Sequence, residues 1–311
     1  LAFILGTAFI FMLASFGAFG EMPDHTALEN PRTNLATEII SADGETLGKF
    51  YYEDNRTPVT FSELPKPLVD ALIATEDVRF YNHSGIDARG TLRAIAFLGS
   101  KGGASTITQQ LAKLFFTENA SKNIMARILQ KSKEWVIAIR LEERYTKEEI
   151  ITMYFNEYDF LNQAIGIESA AHIYFDKAPR DLTISESAIL VGMFKNSSLY
   201  NPVRNPVGVK NRRNVVLSQM AKYKFISESI RDSIQNTELE IKFTPQGHDK
   251  GIATYFREYT RNFMHDWSKK KIKADGTEYN IYSDGLKIYT TIDSKMQRYA
   301  ESAVDSHMQN L

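Results

Sequence analysis

Three stretches of this 311-residue sequence hold residues whose types and spacing could do chemistry. The first is Glu76-Asp77, which closes the apolar run Leu68 to Thr75 and is followed by Arg79, Phe80, His83 and Gly85. A carboxylate set beside apolar rings has its pKa raised, which suits a general base. An isolated acidic pair at a helix end is usually a solvated surface feature; the aromatic and basic company is what raises this one. The second is Gly102-Gly103-Ala104-Ser105-Thr106-Ile107-Thr108-Gln109-Gln110-Leu111-Ala112-Lys113. Here a glycine turn feeds a helix start rich in hydroxyls and amides, where free N–H groups and the helix dipole favour an anion. Lys113 lies two turns after Thr106, on the same face. No Gly-Lys-Ser/Thr follows the glycines, so this is not a Walker loop, and a well-capped helix would explain the same residues. The third is Lys131, Lys133 and Glu134. Lys131 and Glu134 are spaced to share a helix face. On a surface that pair means little; in a cleft, the glutamate stays ionised while the cations hold an anionic group. The six histidines are scattered, with no HExxH and no metal-ligand spacing, which argues against a zinc enzyme.

The elements that must position these residues are mostly helices. Hydrophobic residues make up 43% and charged residues 24%, the make-up of a folded chain with enough apolar material for a core. The length suggests about two domains. With 37 basic and 38 acidic residues the net charge is −1, and nucleic acid is excluded as a bulk partner. The absence of cysteine excludes disulfides and thiol nucleophiles without identifying a compartment.

Along the chain, Thr37 to Tyr52 reads as two β-rich runs around Asp43-Gly44, a hairpin signal. Pro65 and Pro67 open a helix. From there to about Tyr223 the pattern is helical. Asp87 caps one helix, Thr106/Gln109, Thr146/Glu149 and Thr183/Glu186 have capping-box spacing, and Asn205-Pro206 starts another helix. A long helix is predicted over Lys122 to Arg144. Beyond Lys224, a strand is expected at Leu239 to Phe243. Next comes a helix carrying Ile252, Tyr255, Phe256, Tyr259, Phe263 and Trp267 at helical spacing, read as a core-facing stripe. A second hairpin is expected around Asp284-Gly285, with strands Tyr279 to Tyr282 and Leu286 to Thr291, and Asp293 caps a last helix.

Leu1 to Gly20 contains no charged residue. As a helix it would be ~30 Å long, enough to cross a bilayer core. The competing readings are a cleaved signal peptide, whose apolar core is shorter, and a buried core helix; the membrane anchor is preferred. Glu21 to Asn34 is polar and reads as a linker.

Read together, five motifs resemble the glycosyltransferase region of class A penicillin-binding proteins, glycosyltransferase family 51. They are Glu76-Asp77-x-x-Phe80-x-x-His83-x-Gly85; Gly103-Ala104-Ser105-Thr106-Ile107-Thr108-Gln109-Gln110-Leu111-x-Lys113; Lys131-x-x-Glu134 through Leu141-Glu142; Tyr154-Phe155-Asn156 with Gly166-x-x-x-Ala170-Ala171-x-x-Tyr174-Phe175; and Glu186-x-Ala188-x-Leu190 with Tyr200-Asn201-Pro202. They appear in the family's order over Leu68 to Met220. Three positions depart from it: Gln130 where the family usually has Arg, Leu161-Asn162 in place of a glycine-containing turn, and Asp176 where Gly is common.

The resemblance implies a mainly α, lysozyme-like domain over 65–240, with an anchor at 1–20, a linker and hairpin at 21–64, and at 241–311 a connector toward an absent transpeptidase. It implies polymerisation of lipid II onto a lipid-linked glycan strand, with inversion and release of undecaprenyl pyrophosphate. Glu76 would be the general base and Glu134 would assist at the pyrophosphate. Asp77, Phe80, His83, Arg93, Ser105, Thr106, Gln109, Gln110, Lys113, Lys131 and Asn156 would bind or shape the substrate site. A divalent cation (Mg or Mn) could assist at the pyrophosphate, although the sequence shows no dedicated metal site. The implied partners are the lipid substrates, the membrane and other cell-wall synthesis proteins. The implied location is the bacterial inner membrane, crossed once, with the catalytic domain on the outer, periplasmic face. A lysozyme-like glycan-cleaving enzyme and a non-catalytic scaffold are the alternatives.

Overall fold

Pro65 and a proline in the first turn start the helix that carries the first motif: α1, Lys66–Glu76. Its residues from Leu68 to Ala74 are all buried, so it is a central helix rather than an amphipathic surface one. A computed structural model describes residues 37–50, 58–97, 103–116, 124–244, 251–273, 276–282 and 284–308. The expected anchor, Leu1 to Gly20, lies outside the described residues. No described helix is long and apolar enough to cross a membrane.

The chain divides into two compact units. The first takes in Val59–Tyr158 and Lys177–Ile241. After α1 it contains α2 (Ala88–Ala96), α3 (Ile107–Phe116), α4 (Ile124–Arg144), α5 (Lys147–Glu157), α7 (Ile184–Met193), α8 (Pro206–Lys222) and α9 (Glu228–Gln235); α6 (Gly166–Phe175) belongs to the second unit. Helices α1, α7 and α8 pack on one another, and so do α3, α4 and α5. The starts of these helices follow from their caps. At α5, the Thr146 hydroxyl accepts from the Glu149 N–H (3.2 Å) while the Glu149 carboxylate accepts from the Thr146 N–H (2.8 Å). Thr183 and Glu186 repeat this at α7, and Asn205 caps α8 through the Gly208 N–H. Thr106 accepts from the Gln109 N–H, but the Gln109 side chain turns elsewhere, so α3 has half a capping box.

The second unit holds a three-stranded sheet in the order β2 (Thr46–Phe50), β1 (Thr37–Ile40), β3 (Lys287–Tyr289), with β1–β2 antiparallel and β1–β3 parallel. The Asp43-Gly44 hairpin forms, with Gly44 at φ +86°. Ile39, Leu47 and Phe50 are its core, joined by Ile252, Tyr282, Ile288 and Ile292. Two further helices, α10 (Thr254–Ser268) and α11 (Ser294–Met308), complete the unit.

Three expectations are corrected here. Leu239 to Phe243 is not a strand; its extended backbone instead reaches the end of α6, with Lys242 N–H to Tyr174 O (3.0 Å) and Thr244 N–H to Ile173 O (2.8 Å). The second hairpin does not form. Asp284 folds back on Asn280 N–H (2.8 Å) and Lys273, so Tyr279 to Tyr282 makes no ladder and β3 pairs with β1. The aromatic stripe of α10 is not core: Tyr255, Tyr259 and Phe263 are 93%, 71% and 61% exposed. The helix instead turns Ala253, Arg257, Thr260 and Ser268 inward. Gly48 of β2 allows this, because a Cβ there would lie 2.3 Å from Arg257 Nη1. The arginine stem fills the place that helical periodicity reserved for a ring.

Candidate active site

Glu76 is the last residue of α1, where the helix opens into a cavity of about 430 Å³ lined also by Arg79, Arg93, Ser105, Gln110 and Arg212. Its carboxylate is mostly buried, with 16% of the side chain exposed. Oε2 accepts from Gln110 Nε2 at 3.0 Å, and Oε1 lies 3.9 Å from Arg212 Nη2. Burial raises its pKa; the Gln110 bond and the charges of Arg212 and Lys195 oppose this without cancelling it. The result is a carboxylate held by few partners and poised to take a proton.

Asp77 points the other way. It is 6% exposed and pairs with His83 Nε2 at 2.9 Å, while also accepting from the Ile107 N–H at the start of α3 (3.3 Å). It therefore pins the first motif to the second. Thr106 and Gln109, each 1% exposed, both donate to the carbonyl of Gly85 (2.7 and 3.2 Å). Gly85 is required: its φ is +86°, and a Cβ would come within 2.9 Å of the Ala138 backbone on α4. Behind these, Lys147 bonds Glu142 (2.5 Å) and the His83 carbonyl (2.7 Å) and sits over the Phe80 ring, 4.2 Å from its centroid. Glu142 also accepts from Thr108 (2.6 Å).

Glu134 is 5% exposed on α4 and bonds Lys131 Nζ at 2.7 Å; the same ammonium reaches Ser105 Oγ at 3.0 Å. They line a second cavity of about 770 Å³ with Lys113, Arg127, Gln130 and Tyr154. The two cavities share Ser105 and Gln110. One carboxylate there faces three cations, Lys113, Arg127 and Lys131, so the cavity suits a group of more than one negative charge. A divalent ion held by protein alone needs several oxygen ligands, and Glu134 is the one carboxylate among the described residues lining this cavity. Among the described residues, no group of three or more His, Asp or Glu could hold a metal.

The structure thus brings together Glu76, Arg93, Ser105, Gln110, Lys113, Lys131 and Glu134 around the paired cavities. Asp77, Thr106 and Gln109 touch them, but Asp77, Thr106 and the Gln109 Nε2 are bonded to neighbouring backbone or to His83. Phe80, His83 and Asn156 line neither cavity. Phe80 is fully buried. Asn156 is occupied by the Val59 backbone, donating to its carbonyl and accepting from its N–H, both at 3.0 Å. In this structure these three residues brace the elements around the cavities, Phe80 under Lys147, His83 through Asp77 and Asn156 through the Val59 backbone.

The sequence profile described as Transglycosylase matches residues 43–221, more than half of the chain. The chain belongs to the transglycosylase family. It is 35% identical to penicillin-binding protein 1A of Vibrio cholerae over 98% of this chain and 36% of that protein. It is 36% identical to penicillin-binding protein 1A of Escherichia coli over 93% of this chain and 32% of that one. The chain thus spans about a third of the length of these relatives. A crystal structure of penicillin-binding protein 1A from Haemophilus influenzae aligns with 86% of this chain and 28% of its own, at 26% identity and a TM-score of 0.43. Membership bears out the resemblance read from the five motifs, and with it an enzyme that transfers glycosyl groups.

Within the family frame, the three departures have local explanations. Arg127, three residues before Gln130, lines the same cavity wall and supplies a cation there. Leu161, Asn162 and Asp176 adopt left-handed backbone (φ 64°, 54° and 54°), the conformation for which glycine is the usual choice. Sequence reasoning missed Arg127 and Arg212. The signal for Arg127 was helical spacing, since it precedes Lys131 by one turn. Arg212 gave no local signal, since α8 is far from Glu76 in sequence.

Proposed function

We propose that this chain is a peptidoglycan glycosyltransferase that extends a lipid-linked glycan strand with lipid II. The observation that carries the reading is the pair of cavities with shared lining, one holding a mostly buried glutamate and the other a glutamate among cations. The acceptor sugar enters beside Glu76, and the donor pyrophosphate lies among Lys113, Arg127 and Lys131. Glu76 takes the proton of the acceptor 4-hydroxyl as that oxygen attacks the donor anomeric carbon from the face opposite the pyrophosphate. The new β-1,4 bond forms, the carbon–phosphate oxygen bond breaks, and the configuration inverts. The pyrophosphate leaves with its charge balanced by the cations, so preorganised positive charge matters more than a strong acid. Glu134 holds Lys131 in place beside the pyrophosphate.

Both substrates carry lipid tails, which supports a membrane location. Leu1 to Gly20 would anchor the chain in the bacterial inner membrane, with the catalytic unit on the outer face. Exposed Leu92, Phe97 and Leu114, on or next to the helices that carry Arg93 and Lys113, would meet the bilayer edge. The test is lipid II polymerisation by the reconstituted chain with glycan products resolved by length. Glu76→Gln should form none while remaining folded. A folded parent that only cleaves preformed glycan would replace this reading with the hydrolytic one.

A further inference from the structure

Tyr154 is used by no step above, yet it is 1% exposed and ends in a hydroxyl aimed at the site. It sits on α5, packed against Phe194 (ring centroids 4.8 Å). Its hydroxyl donates to Gln110 Oε1 at 2.7 Å, and Gln110 Nε2 donates to Glu76 Oε2 at 3.0 Å. An amide has two unlike ends, and an ionised carboxylate can only accept. The NH₂ end must therefore face Glu76, and what decides that orientation is a donor at the other end.

We infer that Tyr154 is a positioning residue for the transfer reaction, its hydroxyl fixing the Gln110 amide so that the amide donates to Glu76. This rests on the reading of Glu76 as the base. With Oε2 occupied by Gln110, and Arg212 at 3.9 Å from Oε1, Oε1 is the oxygen presented to the acceptor hydroxyl. Burial, and then the charge of Glu76, keep the Tyr154 hydroxyl protonated and so a donor. The groups facing Glu76 are Gln110 on α3, Tyr154 on α5, Arg212 on α8, Lys195 beyond α7 and neighbouring Asp77. Of these, Gln110 makes the hydrogen bond to the carboxylate, and its other end is held by Tyr154. Without that hydroxyl, Oε1 of Gln110 is left without its donor and the amide can turn its oxygen toward the carboxylate, which favours the protonated, inactive form of Glu76.

The experiment uses the full chain in detergent with lipid II, comparing Tyr154→Phe, Gln110→Leu, the double variant and Glu76→Gln. Tyr154→Phe keeps the ring packing. The expected result is about a tenfold fall in kcat, the scale of one hydrogen bond to a charged group, with KM within about twofold. The acid limb of the rate profile should move to higher pH by roughly half a pH unit or more. In the Gln110→Leu background the same change should have no further effect, since the relay is already broken. Replacing Tyr154 with a ring-fluorinated tyrosine, a stronger donor of nearly the same shape, should shift the limb the opposite way. This arm keeps the test decisive if Tyr154→Phe folds poorly. A wild-type limb in Tyr154→Phe, or losses uniform with pH and additive with Gln110→Leu, would overturn the positioning role. An active Glu76→Gln would instead overturn the base assignment on which it rests.

Discussion

A carboxylate that is nearly enclosed must either find partners or change its acidity, and Glu76 does some of each. Its pKa lies above the ordinary glutamate value of 4.5, chiefly through burial. The sign of the consequence differs for stability and for activity. Folding favours the protonated form, so that stabilisation is complete below 4.5 and is lost as pH rises through the raised folded value. Activity needs the ionised form and grows over the same interval. The acid limb of kcat/KM should therefore have its midpoint above 4.5. Glu76→Gln, neutral at every pH, should melt at or above the parent's temperature at pH 7, with the difference narrowing below pH 4.5. A limb at or below 4.5 would remove the desolvation argument. At this scale Glu76, Lys131 and Glu134 drew notice by type and spacing, and the order of the motifs around them made them candidates. Arg212 was not, because nothing in its neighbourhood on α8 points to the end of α1.

Helices bring these residues together only if their relative positions are fixed, and that task falls on buried polar contacts. Lys147 at the start of α5 holds Glu142 of α4 and the backbone of the first motif, while Glu142 also takes Thr108 of α3. Breaking such a pair from one side leaves a buried charge, at a cost of about 3 kcal/mol or more. Lys147→Met should lower the unfolding free energy by about that amount, read as a lower denaturation midpoint at unchanged m. Adding Glu142→Leu should recover part of it, because no unpaired carboxylate then remains. Strict additivity in chemical denaturation would argue against the network. The helices and their caps were legible in the sequence, since capping is local. The second hairpin and the inward face of α10 were not. Asp284 chose a tight turn over a ladder, and the space left by Gly48 admitted Arg257 where periodicity placed rings.

For the molecule as a whole, the near-zero net charge argues against bulk nucleic-acid binding, and the proposed lipid-linked substrate would be met by local cations. The uncharged Leu1 to Gly20 run carries the expectation of a membrane anchor. Removing residues 1–20 should shift the protein from the membrane fraction toward the salt-extractable fraction, with the exposed Leu92, Phe97 and Leu114 edge leaving residual vesicle binding. Full retention in the membrane after deletion would show that the anchor lies elsewhere.

The sequence by itself determined the family, the helical class and the capped starts of the helices, and it singled out both glutamates as candidates. Each of these depends on residues near one another along the chain, where geometry is set by helical repeat and side-chain type. Only the tertiary structure decided which motif residues face the cavities and which brace them. Asp77, Phe80, His83 and Asn156 share motifs with the site yet spend their surface on backbone, rings and neighbours. Tertiary structure alone also decided that Arg212 and Tyr154 stand around Glu76, because contacts between distant helices are fixed by packing, which local spacing does not encode.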